Sequence, residues 1–218
     1  VEEGKLIKAM PLLKELVQRV EASDNSEIKL DFPIFLIGTG HIQQYVASEQ
    51  ANELSEALRW YDRLEKEFPN SPKIKDMLFK RIDVLRALSK NNEAIDLMQN
   101  ILSGGYRNVR LNLSEQTKLL KDLTQIYYGT GQLSAGLPYF SQLFEIARDP
   151  EDQALAAAAS FESLFQAMRL DDALILLPRL AKESAVRYRP RLNVALLKAS
   201  DKLCLLYTSD AADEHSWV

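Results

Sequence analysis

The sequence predicts an all-α protein built from stacked antiparallel helix pairs, and three observations predict it. The 218 residues include only 8 glycines and 8 prolines, which leaves little room for the frequent tight turns of an all-β fold. Apolar residues recur at helical spacing within segments of helix length. A small residue also recurs about every 40 residues, each time followed by apolar residues on the same helical face, which indicates an internal repeat.

The recurring small residue marks the second helix of each predicted pair. It is found at Ala9, Ala57, Ala94, Gly136 and Ala173. The apolar residues four and seven positions later are Leu13 and Leu16, Tyr61 and Leu64, Met98 and Ile101, Phe140 and Leu143, and Leu177 and Leu180. A small side chain lets the first helix of the pair approach closely, and the apolar residues extend the same face. Each pair is too small to bury its own apolar face and must stack on the next.

Amphipathic segments of helix length precede three of these small residues and predict the first helices. Their apolar stripes are Ile74, Leu78, Ile82 and Leu85; Leu120, Leu123 and Tyr127; and Ala157, Phe161, Leu164 and Met168. The predicted starts are Ser71-Pro72, Ser114 with Thr117 nearby, and Asp149-Pro150, since these residues favour helix N-termini. The predicted stops are Gly104-Gly105 and the stretch from Gly129 to Gly131.

The segment ALRWYDRLEKEFPNSP, residues 57–72, resembles the second helix and closing proline of tetratricopeptide repeats found in bacterial envelope and scaffold proteins. The resemblance covers roughly residues 3–203 as about five degenerate units. It implies a right-handed α-solenoid, a TPR-like superhelix in which the first helices line a concave groove. Leu78 or Leu120 stands where the family has a large aromatic residue, and only Pro69 keeps the unit-ending proline. A related helical-repeat family is therefore the alternative.

The segment CLLYTSDAADE, residues 204–214, resembles the translation of a transposon-derived sequencing adapter. We therefore expect residues 204–218 to be a non-native tail on a fragment of a bacterial protein from an environmental source, cut at both ends. The alternative is a natural short helix capped by Ser209 or Asp210. The tail carries three acidic and no basic residues, so without it the formal net charge changes from −4 to about −1. It also holds the only cysteine, which removes thiol chemistry from the rest of the chain.

Localisation is left open by the sequence. No apolar run reaches the roughly 18–20 residues that span a bilayer, so we expect no direct membrane insertion. The chain begins at Val1 rather than methionine. A targeting signal upstream is compatible with this start, and the sequence does not distinguish bacterial cytoplasm from periplasm.

One stretch resembles a nucleotide-binding loop. It is FPIFLIGTGHIQQY, residues 32–45, which contains Gly38-Thr39-Gly40 but has Gln43 where a dinucleotide loop needs a third small residue. We interpret it as the first helix of a repeat, with glycines where helices pack closely, and nucleotide binding is the alternative. His41 has no carboxylate nearby in sequence, so we expect a structural histidine.

Catalytic and metal sites are not predicted. His41 is the only histidine before the tail, and no Gly-x-Ser-x-Gly segment would present a nucleophilic serine. The carboxylate pairs Asp171-Asp172 and Glu151-Asp152 fall where helices begin, which favours a capping role. The segment RYRPRL, residues 187–192, is interpreted as a solvated helix end, with phosphate contact as the alternative. We expect no cofactor, no metal and no nucleic-acid partner.

The predicted binding surface consists of first-helix positions that fall between the packing residues. These are Asp76, Phe79, Asp83 and Arg86; Lys118, Lys121, Gln125 and Tyr128; and Leu155, Ala158, Glu162 and Phe165. Exposed Phe79, Tyr128 and Phe165 would anchor an extended peptide beside charges of both signs. The alternative is that these aromatic residues pack between repeats.

The sequence thus predicts a non-catalytic scaffold that binds a protein or peptide partner through the concave face. One alternative is a periplasmic, envelope-assembly component of a longer anchored protein. A second alternative is a helical-toroid enzyme, which would need carboxylates converging with His41 in a deep pocket. The last natural helix, roughly Arg187 to Leu203, is expected to expose an apolar face.

Overall fold

The computed structural model describes residues 5–23, 28–180, 182–194 and 197. All regular secondary structure in these residues is helical, as predicted. The ten α-helices of the described part are α1 (Lys5–Ala22), α2 (Asp31–Ser48), α3 (Ala51–Glu67), α4 (Ile74–Ala87), α5 (Asn91–Leu102), α6 (Leu113–Thr130), α7 (Leu133–Ile146), α8 (Pro150–Gln166), α9 (Leu170–Leu174) and α10 (Leu177–Leu180). A 3-10 helix, Glu183–Tyr188, follows, and residues 189–194 are again helical. The tail at 204–218 lies outside the described residues.

The chain divides into two compact units, Val1–Arg110 and Leu111–Val218. In unit 1, each helix from α1 to α4 packs on its successor, and α2 also contacts α4. In unit 2, α6 packs on α7, α7 on α8, and α6 also contacts α8. Contacts between alternate helices are what stacked helix pairs require, because each first helix must cover the next.

The predicted second-helix residues form the core of α3, α5 and α7. Their small residues Ala57, Ala94 and Gly136 are buried. The apolar residues that follow are buried as well: Tyr61, Leu64, Met98, Ile101, Phe140 and Leu143. The first-helix stripes of α4 and α6 are buried throughout, as predicted. The predicted inward faces of α3, α4, α5, α6 and α7 are therefore the buried ones.

The prediction for α1 was wrong in register. Leu16 is exposed and Ala9 and Leu13 are half-buried, whereas the buried side chains are Leu6, Met10, Val17 and Val20. α1 has its packing contacts with α2. The Met10 thioether lies over Gly40 of α2, so this contact sets how α1 is rotated.

The two glycines of α2 lie where neighbouring helices approach, as predicted. A Cβ atom placed on Gly38 would lie 2.5 Å from Tyr61 Cε1 of α3, and one on Gly40 would lie 2.5 Å from Met10 Sδ of α1. Both separations are shorter than atoms tolerate. The glycines of the nucleotide-like stretch therefore serve helix packing on both sides of α2.

We expect Gly38→Ala to destabilise unit 1 by about 1–3 kcal/mol, since the fully buried Tyr61 ring has no space into which to move. Gly40→Ala is the matched control. Its added methyl group meets the flexible end of Met10, which can adopt another rotamer, and alanine favours the helix. Urea unfolding of both variants measures the difference. Equal losses of stability would contradict the packing described for Gly38.

Side chains cap the starts of α6 and α8. The Asn112 side chain accepts a hydrogen bond from the Glu115 backbone N–H at 2.9 Å, and the Glu115 carboxylate accepts one from the Asn112 N–H at 2.8 Å. This reciprocal pair begins α6 before the predicted Ser114, which lies within the helix. Asp149 caps α8 and accepts a hydrogen bond from the Glu151 N–H at 2.7 Å, as predicted for Asp149-Pro150.

Helix α8 is buried almost all round. Every residue from 154 to 165 is buried, because α6, α7, α9, α10 and the 3-10 helix all pack on it. The run of alanines at 156–159 lets these neighbours approach closely. A helix with this pattern belongs in a core rather than at a surface.

Two predicted core residues near the end of the chain are exposed. Met168 follows the end of α8 and has a left-handed backbone, with φ of 58°. Leu177 is the first residue of the short helix α10, and Pro178 follows it. The preceding helix, α9, ends at Leu174. These two helix ends, after α8 and at α10, depart from the repeat pattern. The predicted stop from Gly129 to Gly131 does contain the end of α6, whose left-handed cap is Gly131, with φ of 74°.

Candidate protein-binding surface

The four predicted residues of unit 1 all lie on α4. Asp76 and Asp83 are exposed, while Phe79 and Arg86 are half-buried. Lys73 Nζ lies 3.9 Å from Asp76 Oδ2. α4 therefore presents a strip of mixed charge in which Phe79 is less exposed than predicted.

Two predicted residues of α6, Lys118 and Gln125, are exposed. Lys121 lies between them and donates to Asp152 of α8, with 2.6 Å between Nζ and Oδ1. The Asp152 carboxylate raises the pKa of Lys121 through this hydrogen bond, against the smaller effect of burial. Lys121 thus joins α6 to α8 and stays protonated at neutral pH.

The prediction that Tyr128 and Phe165 are exposed was wrong. Their exposed fractions are 6% and 8%, and Glu162 on the same surface is 7% exposed. Phe165 stacks on Phe161 of the same helix, with ring centroids 5.4 Å apart. The predicted alternative, aromatic residues packed inside the helix stack, describes these two side chains. Leu155 and Ala158 of α8 are also buried.

A segment further along the chain, residues 187–192, covers Tyr128 and Glu162. We call this segment the strap. Arg191 donates to Glu162 with both ends of its guanidinium, at 2.7 Å from Nε to Oε2 and 3.4 Å from Nη2 to Oε1. Its Cζ atom lies 3.7 Å from the centroid of the Tyr128 ring. The prediction of a solvated helix end was therefore wrong for Arg191.

Two further strap residues contact α6 and α8. Tyr188 meets Tyr128 edge-on, with centroids 6.2 Å apart and planes at 65°. Arg187 Nη2 lies 2.6 Å from Glu151 Oε2 at the start of α8. Burial raises the pKa of Tyr128 and of Tyr188, so both phenols remain neutral beneath the arginines. A guanidinium over a neutral aromatic ring is a favourable cation–π arrangement.

Sequence reasoning missed Glu151, Tyr188 and Arg191 as members of this surface. The arginines were visible as a local cluster, but their acceptors lie on a helix that begins 37 residues before Arg187. No local spacing in the sequence connects these arginines with Glu151 and Glu162. The order Arg-Tyr-x-x-Arg, which brings residues one turn apart onto one side of a helix, is the only signal that could have indicated a shared contact surface.

An open pocket of about 530 Å³ lies beside the α6–α8 contact. It is formed by the start of α6, the end of α7 and the start of α8. Its lining residues are Leu113, Ser114, Thr117, Lys118, Lys121, Ile146, Arg148, Asp149 and Asp152. Two of the predicted binding residues, Lys118 and Lys121, thus line a cavity that combines apolar surface with charges of both signs.

His41 in unit 1 is buried and joins α2 to α3. Its Nδ1 atom lies 2.6 Å from Glu53 Oε2, and the two side chains are 6% and 11% exposed. The carboxylate partner, absent from the sequence neighbourhood, comes from the first turn of α3. Within the described residues, no group of three His, Cys, Asp or Glu side chains is arranged to hold a metal ion.

No family model and no curated protein sequence matches this chain significantly. Among the helices in the described ranges, none is both long enough and apolar enough to cross a membrane.

Proposed function

We propose that this chain is a non-catalytic interaction scaffold that binds a segment of a partner protein through the first helices of its pairs. The proposal includes the finer fold assignment, degenerate repeats of the tetratricopeptide type with right-handed superhelical stacking. Its support is the confirmed register of the small residues in α3, α5 and α7 and the contacts between alternate helices, α2 with α4 and α6 with α8.

The proposed binding surface in unit 2 is the α6–α8 face, which consists of Lys118, Lys121, Gln125, Tyr128, Glu151, Asp152 and Glu162. One observation carries the proposal. This face already holds a helical piece of polypeptide, the strap, through Arg191 on Glu162 and Tyr188 on Tyr128. Side chains that bind a segment of the same chain have the chemistry to bind a similar segment of a partner.

The α6–α8 face extends beyond Glu151, Tyr128 and Glu162. Lys118 and Gln125 of α6 are exposed, and the pocket beside Lys118 offers the apolar wall formed by Leu113 and Ile146. Binding energy in such surfaces concentrates in a few buried anchors surrounded by polar groups. We therefore expect a partner to place an apolar side chain in this pocket and polar groups along α6.

The test selects peptides of about twelve residues from a random display library on the full chain. We expect enriched peptides to lose roughly tenfold in affinity when Gln125→Ala and Lys118→Glu are combined. Lys118 lines the pocket, and Gln125 is exposed two turns further along α6. Gln142→Ala is the matched control, because Gln142 is an exposed glutamine on α7 outside the face. Fluorescence anisotropy on purified peptides measures each affinity.

Two outcomes would contradict the proposal. Peptides that bind the wild-type chain and the combined variant equally well would place the binding surface elsewhere. A selection that enriches no peptide at all would contradict the proposed scaffold function. Circular dichroism on each variant establishes that the helices are intact before affinities are compared.

A further inference from the structure

We infer that the strap is a built-in competitor for the α6–α8 face, and that the partner segment is a helix presenting the pattern Arg-Tyr-x-x-Arg. This inference rests on the proposed function and names its ligand. The observation behind it is the set of contacts that Arg187, Tyr188 and Arg191 make with Glu151, Tyr128 and Glu162.

The face under the strap requires a cation. Glu162 is nine-tenths buried, and a buried carboxylate without a partner is strongly unfavourable. The described contact that meets this need is Arg191, which grips both carboxylate oxygens. Glu151 adds a second carboxylate at the start of α8. A ligand of this face must therefore bring positive charge to Glu162, and Glu151 favours a second positive charge beside it.

The contact with Glu162 and Tyr128 favours arginine over lysine at position 191. The Cζ atom of Arg191 lies 3.7 Å from the centroid of the Tyr128 ring while the same guanidinium also binds Glu162. A planar group with donors along its edge can stack and form two parallel hydrogen bonds, and an ammonium group cannot. The position corresponding to Arg191 is therefore the one that selects a ligand.

The strap is only partly buried. In residues 185–194, only Ala185 and Leu192 are buried, whereas Val186 and Val194 are exposed. The ion pair between Arg187 and Glu151 is open to solvent, with side chains 54% and 65% exposed, and such pairs stabilise little. A partner helix that repeats the Arg191 contacts and adds apolar ones can take the place of the strap.

The experiment supplies the strap in trans. A labelled peptide with the sequence ESAVRYRPRLNV, residues 183–194, is titrated into the full wild-type chain and into the full-length double variant Tyr188→Ala, Arg191→Ala. We expect the double variant to bind this peptide roughly tenfold more tightly, because its own strap no longer competes. The matched control, Asn193→Ala with Val194→Ala, changes exposed positions of the same region and should behave as the wild type.

Peptide variants test the chemistry of the site. We expect the peptide with the Arg191→Lys change to bind the double variant roughly fivefold more weakly than the original. A charge exchange between protein and peptide distinguishes loss of binding from loss of folding. The full-length Glu162→Arg chain should reject the original peptide and bind one with the Arg191→Glu change.

Three results would overturn the inference. The first is a double variant that keeps its helical content and yet binds the peptide no better than the wild type does. The second is a lysine peptide that binds as tightly as the arginine peptide. The third is a double variant that forms dimers in sedimentation analysis that the peptide does not dissociate, which would make a second copy the occupant. If library peptides still bind the wild type and lose affinity with Gln125→Ala and Lys118→Glu, then only this inference falls and the proposed function remains.

Discussion

Replacing Tyr61 with alanine should lower the free energy of unfolding of unit 1 by about 3–5 kcal/mol. The Tyr61 ring is fully buried, lies against Gly38 of α2 and stacks on Phe35 with centroids 6.4 Å apart. Alanine would leave a cavity between α2 and α3 that rigid helices cannot close. Urea unfolding, combined with hydrogen exchange of the α2 and α3 amides, measures the loss.

The matched control for this cavity is Tyr61→Phe. It keeps the ring and removes the hydroxyl, whose oxygen lies 3.3 Å from Thr39 Oγ1. Thr39 retains its hydrogen bond to the Phe35 carbonyl at 3.0 Å, so we expect a cost of only about 0.5–1.5 kcal/mol. A phenylalanine variant as unstable as the alanine variant would show that the hydroxyl, rather than ring packing, supports α2 and α3.

Replacing Phe140 with alanine should destabilise unit 2 by a comparable amount, about 3–5 kcal/mol. Phe140 is fully buried on α7, and its ring lies over Gly136 of the same helix. A Cβ atom on Gly136 would lie 2.2 Å from Phe140 Cζ and 2.7 Å from Tyr127 Cβ of α6. The Phe140 ring therefore occupies the space that a side chain at position 136 would need. Thermal or urea unfolding of Phe140→Ala measures the loss of stability.

A double-mutant cycle tests that sharing directly. Gly136→Ala alone should cost about 1–3 kcal/mol, because its methyl group meets the far edge of the Phe140 ring and the Cβ atom of Tyr127. In the double variant with Phe140→Ala, the methyl group partly fills the cavity, so we expect the combined loss to fall below the sum by roughly 0.5–3 kcal/mol. Additive losses would contradict the shared space. Gly129→Ala, at an exposed α6 position with no atom within 4 Å of the new methyl group, should be neutral or slightly stabilising.

The parts of the fold that local sequence predicted are those that depend on helical periodicity. The small residues Ala57, Ala94 and Gly136 and the stripes on α4 and α6 are buried as expected, because a helix presents residues three and four apart on one side whatever it packs against. The Asn112–Glu115 capping pair was equally local and could have been identified from its spacing.

The binding surface was predicted less well. Periodicity placed Tyr128 and Glu162 beside the packing stripes, and both lie where α6 and α8 meet the rest of unit 2. Their burial, however, depends on a strap that joins them from more than 25 residues further along the chain. The predicted exposed apolar face of the last helix is visible only at Val194 and Leu197, and the remainder of that helix lies outside the described residues.

By itself, the sequence determined that this protein is helical and which side of most helices faces inward, because both follow from spacing within a single helix. Only the tertiary structure decided how α1 is rotated on Gly40, that His41 meets Glu53, and that Arg191 covers Glu162. Each of these depends on the meeting of two helices. The distances and angles of such meetings come from side-chain shape and burial across the fold, which no local pattern contains.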